Sequence, residues 1–596
     1  MKTKKLNICK DYTIRLKNII FNLKQRSNYK KWIKIYEPKG EEQEKQRKIK
    51  FEFEPKISII VPMYNTPYNF FYELVKCLIK QTYSNWELCL ADGSEEQNEK
   101  LKTIIQSDKR IKYKFLNENK GIAGNTNECI KIATGDFIAL FDHDDLLPEF
   151  ALYEIVKTIN ENPNVEFIYT DEDKISSNSR KRFEPYFKPN FAIDTLRSGN
   201  YICHFSVFKK DVMDKLEGER SQYDGAQDFD LVLRMAEIVE PKNIIHIPKI
   251  LYHWRISNES TAKNEEAKPY AYVSGEKAVQ DHLNRMKIDA TVKKSHYYGI
   301  YNTTYSIKGN PKINILIPNT DGTEDLKRCI NSIIEKTTYQ NYEIDIIENN
   351  SKESKTFSYY KELQKNTKIK ILYFSEKTEN YSKKINYGVK LTDGEFILQL
   401  SKRTEVINPE WLEIMLGICN RKDVGVVGAK VLYPDTTIQH AGLILGMTAN
   451  RGYIHRGMRD TDFGYFSRNL IRQNVTAVSK ECLLTKRAVY EEIQGLNDNF
   501  AQYFSDIDFC LRARGKGHLV VYEPNVKLYI YESKKMKKDN GYENEKCLFE
   551  KIWNKEIKMG DPYYNKNLRL DNGNCAIRTD KESEKRWFED NKKNNQ

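Results

Sequence analysis

The stretch Gly135-Asp136-Phe137-Ile138-Ala139-Leu140-Phe141-Asp142-His143-Asp144-Asp145 decides how the rest of the chain is read. Its apolar run is long enough for a buried strand and ends abruptly in carboxylates, so the strand delivers Asp142 and Asp144 to its exposed C-terminal end. Open α/β sheets bind ligands at that edge. Two carboxylates with one residue between them can share a hard divalent cation that keeps open positions for the phosphate oxygens of a nucleotide. A lone Asp-X-Asp is just as well a solvated acidic turn, and the surrounding chain has to decide.

At 596 residues the chain exceeds what one hydrophobic core organises, so two or more domains are expected. With 39% hydrophobic and 30% charged residues it reads as globular and soluble. It has no transmembrane-length apolar run and no signal-peptide pattern, which makes the cytoplasm the expected address. Eleven cysteines are scattered without a Cys-X-X-Cys pair, which fits reduced thiols and argues against structural zinc. The net charge of +13 comes from lysines dispersed among glutamates and asparagines, without a zinc finger or arginine-rich groove, so nucleic acid is not the expected partner.

Residues 1–50 form a basic extension in which Leu16, Ile19, Ile20 and Leu23 share one helical face. Such a face lies on an anionic membrane, peripherally on the inner leaflet, or docks on its own domain; the sequence leaves both open. Gly40 to Lys50 reads as a linker. From Pro55 a strand (Ile57 to Val61), a helix (Tyr72 to Lys80) and a second strand (Trp86 to Ala91) predict a right-handed parallel unit with Asp92 at a strand end. The loop Asn119 to Asn127 leads into a helix and brings amides toward phosphates only weakly. Another strand closes on Asp171-Glu172-Asp173. Asp228 opens a helix whose dipole keeps a carboxylate ionised, fit to take a proton from a hydroxyl, although a plain helix cap suits Asp228 or Asp230 equally. Tyr252-His253-Trp254-Arg255 ends a strand in a histidine able to complete a cation site begun by Asp144.

The chain repeats itself. Pro55-Lys56-Ile57-Ser58-Ile59-Ile60-Val61-Pro62 recurs as Pro311-Lys312-Ile313-Asn314-Ile315-Leu316-Ile317-Pro318, and Thr82-Tyr83-Ser84-Asn85-Trp86 as Thr338-Tyr339-Gln340-Asn341-Tyr342. Carried forward, the register sets Asp142-His143-Asp144-Asp145 against Ser401-Lys402-Arg403-Thr404, and Leu251-Tyr252-His253 against Leu528-Tyr529-Ile530. Asp228 keeps a counterpart in Asp506. The second copy has therefore lost both proposed metal positions and kept the proposed base.

These residues, taken in order with Val61-Pro62-Met63-Tyr64-Asn65 and Gly225-Ala226-Gln227-Asp228-Phe229-Asp230, resemble the family-2 glycosyltransferases, specifically tandem two-domain bacterial proteins that build surface polysaccharides. The resemblance implies an α/β chain with two tandem GT-A domains, each a Rossmann-like, mixed and mostly parallel sheet, and helical N- and C-terminal extensions. The expected division is 1–50 extension and linker, 51–275 first domain, 276–309 connector, 310–535 second domain, and 536–596 helical extension with a disordered tail. It further implies an inverting transfer of sugar from a nucleotide donor, UDP- or dTDP-linked, to a growing glycan such as a lipid-linked one. Pro62, Tyr64, Asp92, Asn127, Asp142 and His143 would bind the donor. Asp144, His253 and Asp142 would hold Mn²⁺ or Mg²⁺, and Asp228 would be the base. Asp171, Asp173, Gln227, Asp230 and Trp254 are candidate acceptor or sugar contacts. In the second copy the candidates are Asp321, Glu348, Lys402, Arg403 and Asp506. That copy is expected to be degenerate; the alternatives are a live, metal-independent second transferase and a non-catalytic glycan-binding scaffold.

Overall fold

The computed structural model describes residues 21, 23–256, 269–377, 379–447, 452–534 and 540–579. Eight strands build the first sheet: β1 (Ile57–Met63), β2 (Trp86–Asp92), β3 (Ile111–Phe115), β4 (Phe137–Leu140), β5 (Phe167–Ser176), β6 (Arg182–Tyr186), β7 (Ser206–Lys209) and β8 (Ile244–Ile256). Their order is β3-β2-β1-β4-β7-β5-β6, with β8 on β5. Strands β1 to β4 pair in parallel, and β7 runs antiparallel between β4 and β5. The central strands read as continuous apolar runs because helices cover both faces, and β1, β2 and β4 are accordingly almost wholly buried.

A helix over Pro269–Arg285 and the hairpin β9 (Ala290–Lys294) and β10 (Tyr301–Tyr305) follow. The second sheet comprises β11 (Ile313–Asn319), β12 (Tyr342–Glu348), β13 (Ile369–Tyr373), β14 (Phe396–Leu400), β15 (Thr404–Val406), β16 (Val424–Leu432), β17 (Ile438–His440), β18 (Gln473–Asn474), β19 (Cys482–Lys486) and β20 (Leu519–Ile530). Its order, β13-β12-β11-β14-β19-β16-β20-β15, repeats the first. The registers repeat too: Ile57 lies beside Trp86 and Phe137, and Ile313 beside Tyr342 and Phe396. The fold is thus mixed α/β with two sheets of one plan.

Helix α1 (23–36) docks on its own chain, with Trp32 packed on Phe187 and its indole donating to Asn567. Leu16, Ile19 and Ile20 lie outside the described residues, and Leu23 is exposed. The linker reading of Gly40 to Lys50 is corrected: Glu41–Lys48 is a helix, α2, because Gln46 is buried against the Thr82 hydroxyl and Arg47 donates to the carbonyls of Gln81 and Lys80. Acidic residues in its first turn and basic ones in its last complement the helix dipole. The C-terminal helices, Asn540–Ile552 and Asn554–Met559, lead into a strap over 561–579 that returns to the first unit. There Asn565 donates to both oxygens of Asp171. The tail beyond 579 lies outside the described residues, among which no helix is long and apolar enough to cross a membrane.

A buried ion pair joins the two units. Asp194, fully buried, meets the guanidinium of Arg421 and accepts from Asn474 at 2.8 Å, while Arg472 is tied to Glu523 at 2.6 Å. Burial opposes the charge on Asp194, but Arg421 prevails and holds its carboxyl at about 2. Against an unfolded value of about 3.9, the pair contributes fully above that value and is lost as the pH falls toward 2. Asp194→Ala leaves the buried guanidinium to the half-exposed Asp423, 2.6 Å away, and should lower stability by about 3 kcal/mol; urea unfolding at pH 7 measures the loss, which should shrink in acid.

Candidate active site

Strand β4 ends at Leu140 and the chain turns sharply through Asp142 to Asp145. Asp145 anchors that turn: fully buried, it takes a hydrogen bond from the Tyr252 hydroxyl and another, at 2.6 Å, from the Arg255 backbone N–H. The guanidinium of Arg255 donates to the Asp144 carbonyl, and Leu146 exchanges backbone hydrogen bonds with His253 at 3.2 and 2.9 Å. Strand β8 thereby fixes the turn that carries Asp142 and Asp144 at the C-terminal end of β4. Burial, and then the neighbouring Asp142, hold the Asp144 carboxyl above the ordinary range.

His204 stands opposite. Strands β4 and β7 are antiparallel with Leu140 beside Ser206, which carries the residue two before Ser206 to the residue two past Leu140. The imidazole Nε2 of His204 lies 3.4 Å from Asp142 Oδ2, and its ring stacks on Tyr252 at 4.7 Å. Lys188, completely buried, holds this loop by donating to the carbonyls of Ile202 and His204, both at 2.6 Å, and to Glu172 at 2.9 Å. Asp228 comes to the same place from the first turn of the helix Gln227–Ile238, where Asn200 donates to it at 2.9 Å. Burial raises its carboxyl above the ordinary range, and the nearby His204 partly offsets that. Among the described residues no lysine or arginine forms an ion pair with Asp142, Asp144 or Asp228.

His253 lies nearly buried on β8 with Nδ1 bound to Asp173 at 2.5 Å; when Nδ1 carries the proton, Nε2 is the nitrogen left for a ligand bond. The donor set is therefore hard carboxylate oxygen and imidazole nitrogen, chemistry that suits Mn²⁺ or Mg²⁺. Among the described residues no group of three or more His, Cys, Asp or Glu side chains is placed to hold a metal ion, so Asp144 and His253 would offer a cation at most a partial set.

The other expected positions separate by burial. Tyr64 is 42% exposed beside the cleft, and His143 is tied through Nδ1 to Thr66 at 2.9 Å, near the end of β1. Asp92 caps Ser94 and accepts from Tyr113 at 2.9 Å at the end of β2. Pro62 is half-buried in β1. Asn127 spends its amide on the backbone of Glu219, at 2.7 and 2.9 Å, and is scaffold. Asp230 is likewise corrected from acceptor contact to scaffold: it is fully buried between Arg220 and Arg234. Asp171, paired with His246 and Asn565, takes the same correction. Gln227 accepts from the Gly225 N–H within its own turn, and Trp254 is half-buried with Lys174 over its ring. Sequence reasoning missed His204, Lys188, Asp145 and Tyr252.

In the second unit Lys402 stands where Asp142 to Asp145 lie in the first, and its ammonium is spent internally. It donates to Asn319 Oδ1 at 2.9 Å and to the carbonyls of Thr320 and Asp321, both at 2.7 Å. Asp321 caps the Lys352 and Glu353 N–H groups, Glu348 accepts from Ser351 and Tyr360, and Arg403 is exposed beside Glu532. Asp506 is buried and accepts from the Lys480 and Ile507 N–H groups.

The family model described as "Glycosyl transferase family 2" matches residues 58–217 and 314–494. An uncharacterized protein of Sinorhizobium fredii is 35% identical over 549 residues, covering 89% of this chain and 59% of that protein. The O-antigen biosynthesis protein RfbC of Myxococcus xanthus is 29% identical over 562 residues, covering 93% of this chain and 43% of the relative. The chain thus spans about half the length of these two relatives. Over 123 residues, 21% of this chain and 48% of the relative, it is 36% identical to an Escherichia coli protein named UDP-Glc:alpha-D-GlcNAc-diphosphoundecaprenol beta-1,3-glucosyltransferase WfgD.

Replacing Lys402 by alanine leaves three acceptors without their donor and should lower stability by about 1–3 kcal/mol. Thermal unfolding reads the loss.

Proposed function

The chain belongs to glycosyl transferase family 2, and from that premise we propose that its first unit transfers a sugar, with inversion, from a nucleotide donor to a hydroxyl of a bacterial surface glycan. The observation that carries the reading is that Asp142, Asp144 and Asp228 lie within electrostatic reach of one another with, among the described residues, no lysine or arginine in an ion pair with them. A cleft of that charge calls for a cation and a hydroxyl to deprotonate. Resemblance to proteins named for O-antigen synthesis and for transfer to a diphosphoundecaprenol-linked sugar supports a lipid-linked glycan acceptor and a UDP-sugar donor.

Asp144 and His253 are the residues that would hold Mn²⁺ or Mg²⁺, with Asp142 toward the ribose, Tyr64 and Asp92 toward the base, and His143 holding the loop that carries Tyr64. When bound, such a cation offsets the negative charge that develops on the departing diphosphate. The protein's own part is to orient the acceptor and to move its proton. Asp228, raised by burial, receives the proton as the hydroxyl oxygen attacks the anomeric carbon, and Asn200 fixes the carboxylate for that transfer. His204, 3.4 Å from Asp142 Oδ2, offsets part of the rise that burial imposes on Asp228. The inward use of Lys402 supports a degenerate second unit over a metal-independent one, since the ammonium has no hydrogen left for a phosphate.

Asp228→Asn should lower kcat by about 10²–10⁴-fold and leave donor affinity within experimental error; nucleoside diphosphate release with acceptor present, and calorimetry, report the two. Full turnover by that variant removes Asp228 as the base. Because the carboxyl is raised, activity should fall on the acid side at a pH above the ordinary carboxylate range, and the acid limb of kcat/KM against pH locates it.

A further inference from the structure

His253 is 6% exposed, and a single carboxylate sets its ring. Asp173 pairs with it in register across β5 and β8. Oδ1 of Asp173 takes His253, while Oδ2 takes Arg182 Nε at 2.6 Å and the hydroxyl of Tyr29. Tyr29 belongs to α1 and is 1% exposed. Arg182 also donates to the Tyr29 oxygen at 2.9 Å and grips Glu37, just past α1, through both terminal nitrogens at 3.0 and 2.6 Å. The N-terminal extension therefore supplies one of three donors to the carboxylate behind His253, and the counter-ion of another.

The second unit loses both partners together. Leu432 lies beside Tyr529 in the register of β16 and β20, so Tyr433 and Ile530 take the places of Asp173 and His253. They are buried together in one apolar cluster with Val431. Where the imidazole is gone, so is the carboxylate that would orient it.

We propose that α1 is a working part of the first active site: Tyr29 and Glu37, the latter through Arg182, are positioning residues that fix Asp173 and hence the ring orientation and tautomer of His253. The inference rests on the reading of His253 as a cation ligand. A carboxylate behind a metal-binding imidazole typically carries a 10- to 100-fold effect on metal affinity. Neither Tyr29 nor Glu37 reaches the cleft itself.

The test is Mn²⁺ binding to the full chain, followed by the electron paramagnetic resonance signal of free Mn²⁺, for wild type, Tyr29→Phe, Glu37→Gln and His253→Ala. Tyr29→Phe keeps the ring that stacks on Trp32 at 5.9 Å, and α1 stays held through Trp32 and through Gln25, which bonds to Cys575 and Ile577. Tyr29→Phe should weaken Mn²⁺ by about 10-fold and raise the Mn²⁺ concentration for half-maximal transfer, with kcat recovered at saturating metal. Should Tyr29→Phe fail to fold, Glu37→Gln decides by the same readout. If His253→Ala weakens Mn²⁺ and the foldable α1 variants do not, the positioning role is overturned while the cation reading stands. Unchanged binding in His253→Ala overturns both.

Discussion

Like charges gathered at one sheet edge are the constraint on which the first unit is built. Two carboxylates about 4 Å apart at an effective dielectric near 20 repel by roughly 4 kcal/mol, a large share of a domain's net stability. The cleft nevertheless collects Asp142, Asp144 and Asp228, with Asp145 buried directly beneath and Glu219, raised by burial and by Asp228, behind. The surrounding supports answer that repulsion without neutralising it. Lys188 and Arg255 spend their charges on backbone carbonyls and on Glu172 and Glu73, so they hold the loops without forming ion pairs with Asp142, Asp144 or Asp228.

The second unit shows the same scaffold with the constraint removed. Its strand order and register repeat, and its buried Asp506 still opens the corresponding helix. At the turn after β14, however, an ammonium replaces the carboxylates and closes on the loop after β11. The repulsion becomes attraction, and the cleft becomes a fastening. A copy held for packing alone gains from such a fastening, which supports the proposal that the first unit is the one that does the chemistry.

Much of this was legible in the chain. Parallel strands buried on both faces must be continuous apolar runs, which made β1, β2 and β4 readable and exposed the repeat through β11 and β12. What escaped depends on partners distant in sequence. His204 carries no local signal, because only the antiparallel insertion of β7 beside β4 sets it opposite Asp142. Asp230 and Asp228 are two residues apart on one helix, and only the approach of Arg220 and Arg234 assigns the first to the core. Likewise α2 reads as a charged linker until Gln46 and Arg47 find the loop before β2.

The termini follow the same logic one layer further out. Asn565 of the C-terminal strap satisfies Asp171 on β5, and Tyr29 of α1 satisfies Asp173 two residues on. Both carboxylates are fully buried, and a buried charge left without partners is strongly destabilising. Each extension thus adds a partner to the strand that backs His253, and Trp32 bonded to Asn567 joins the extensions to each other. A basic N-terminal segment need not be an appendage to a finished domain. Here its first described helix supplies a hydrogen bond to the buried carboxylate on which His253 leans.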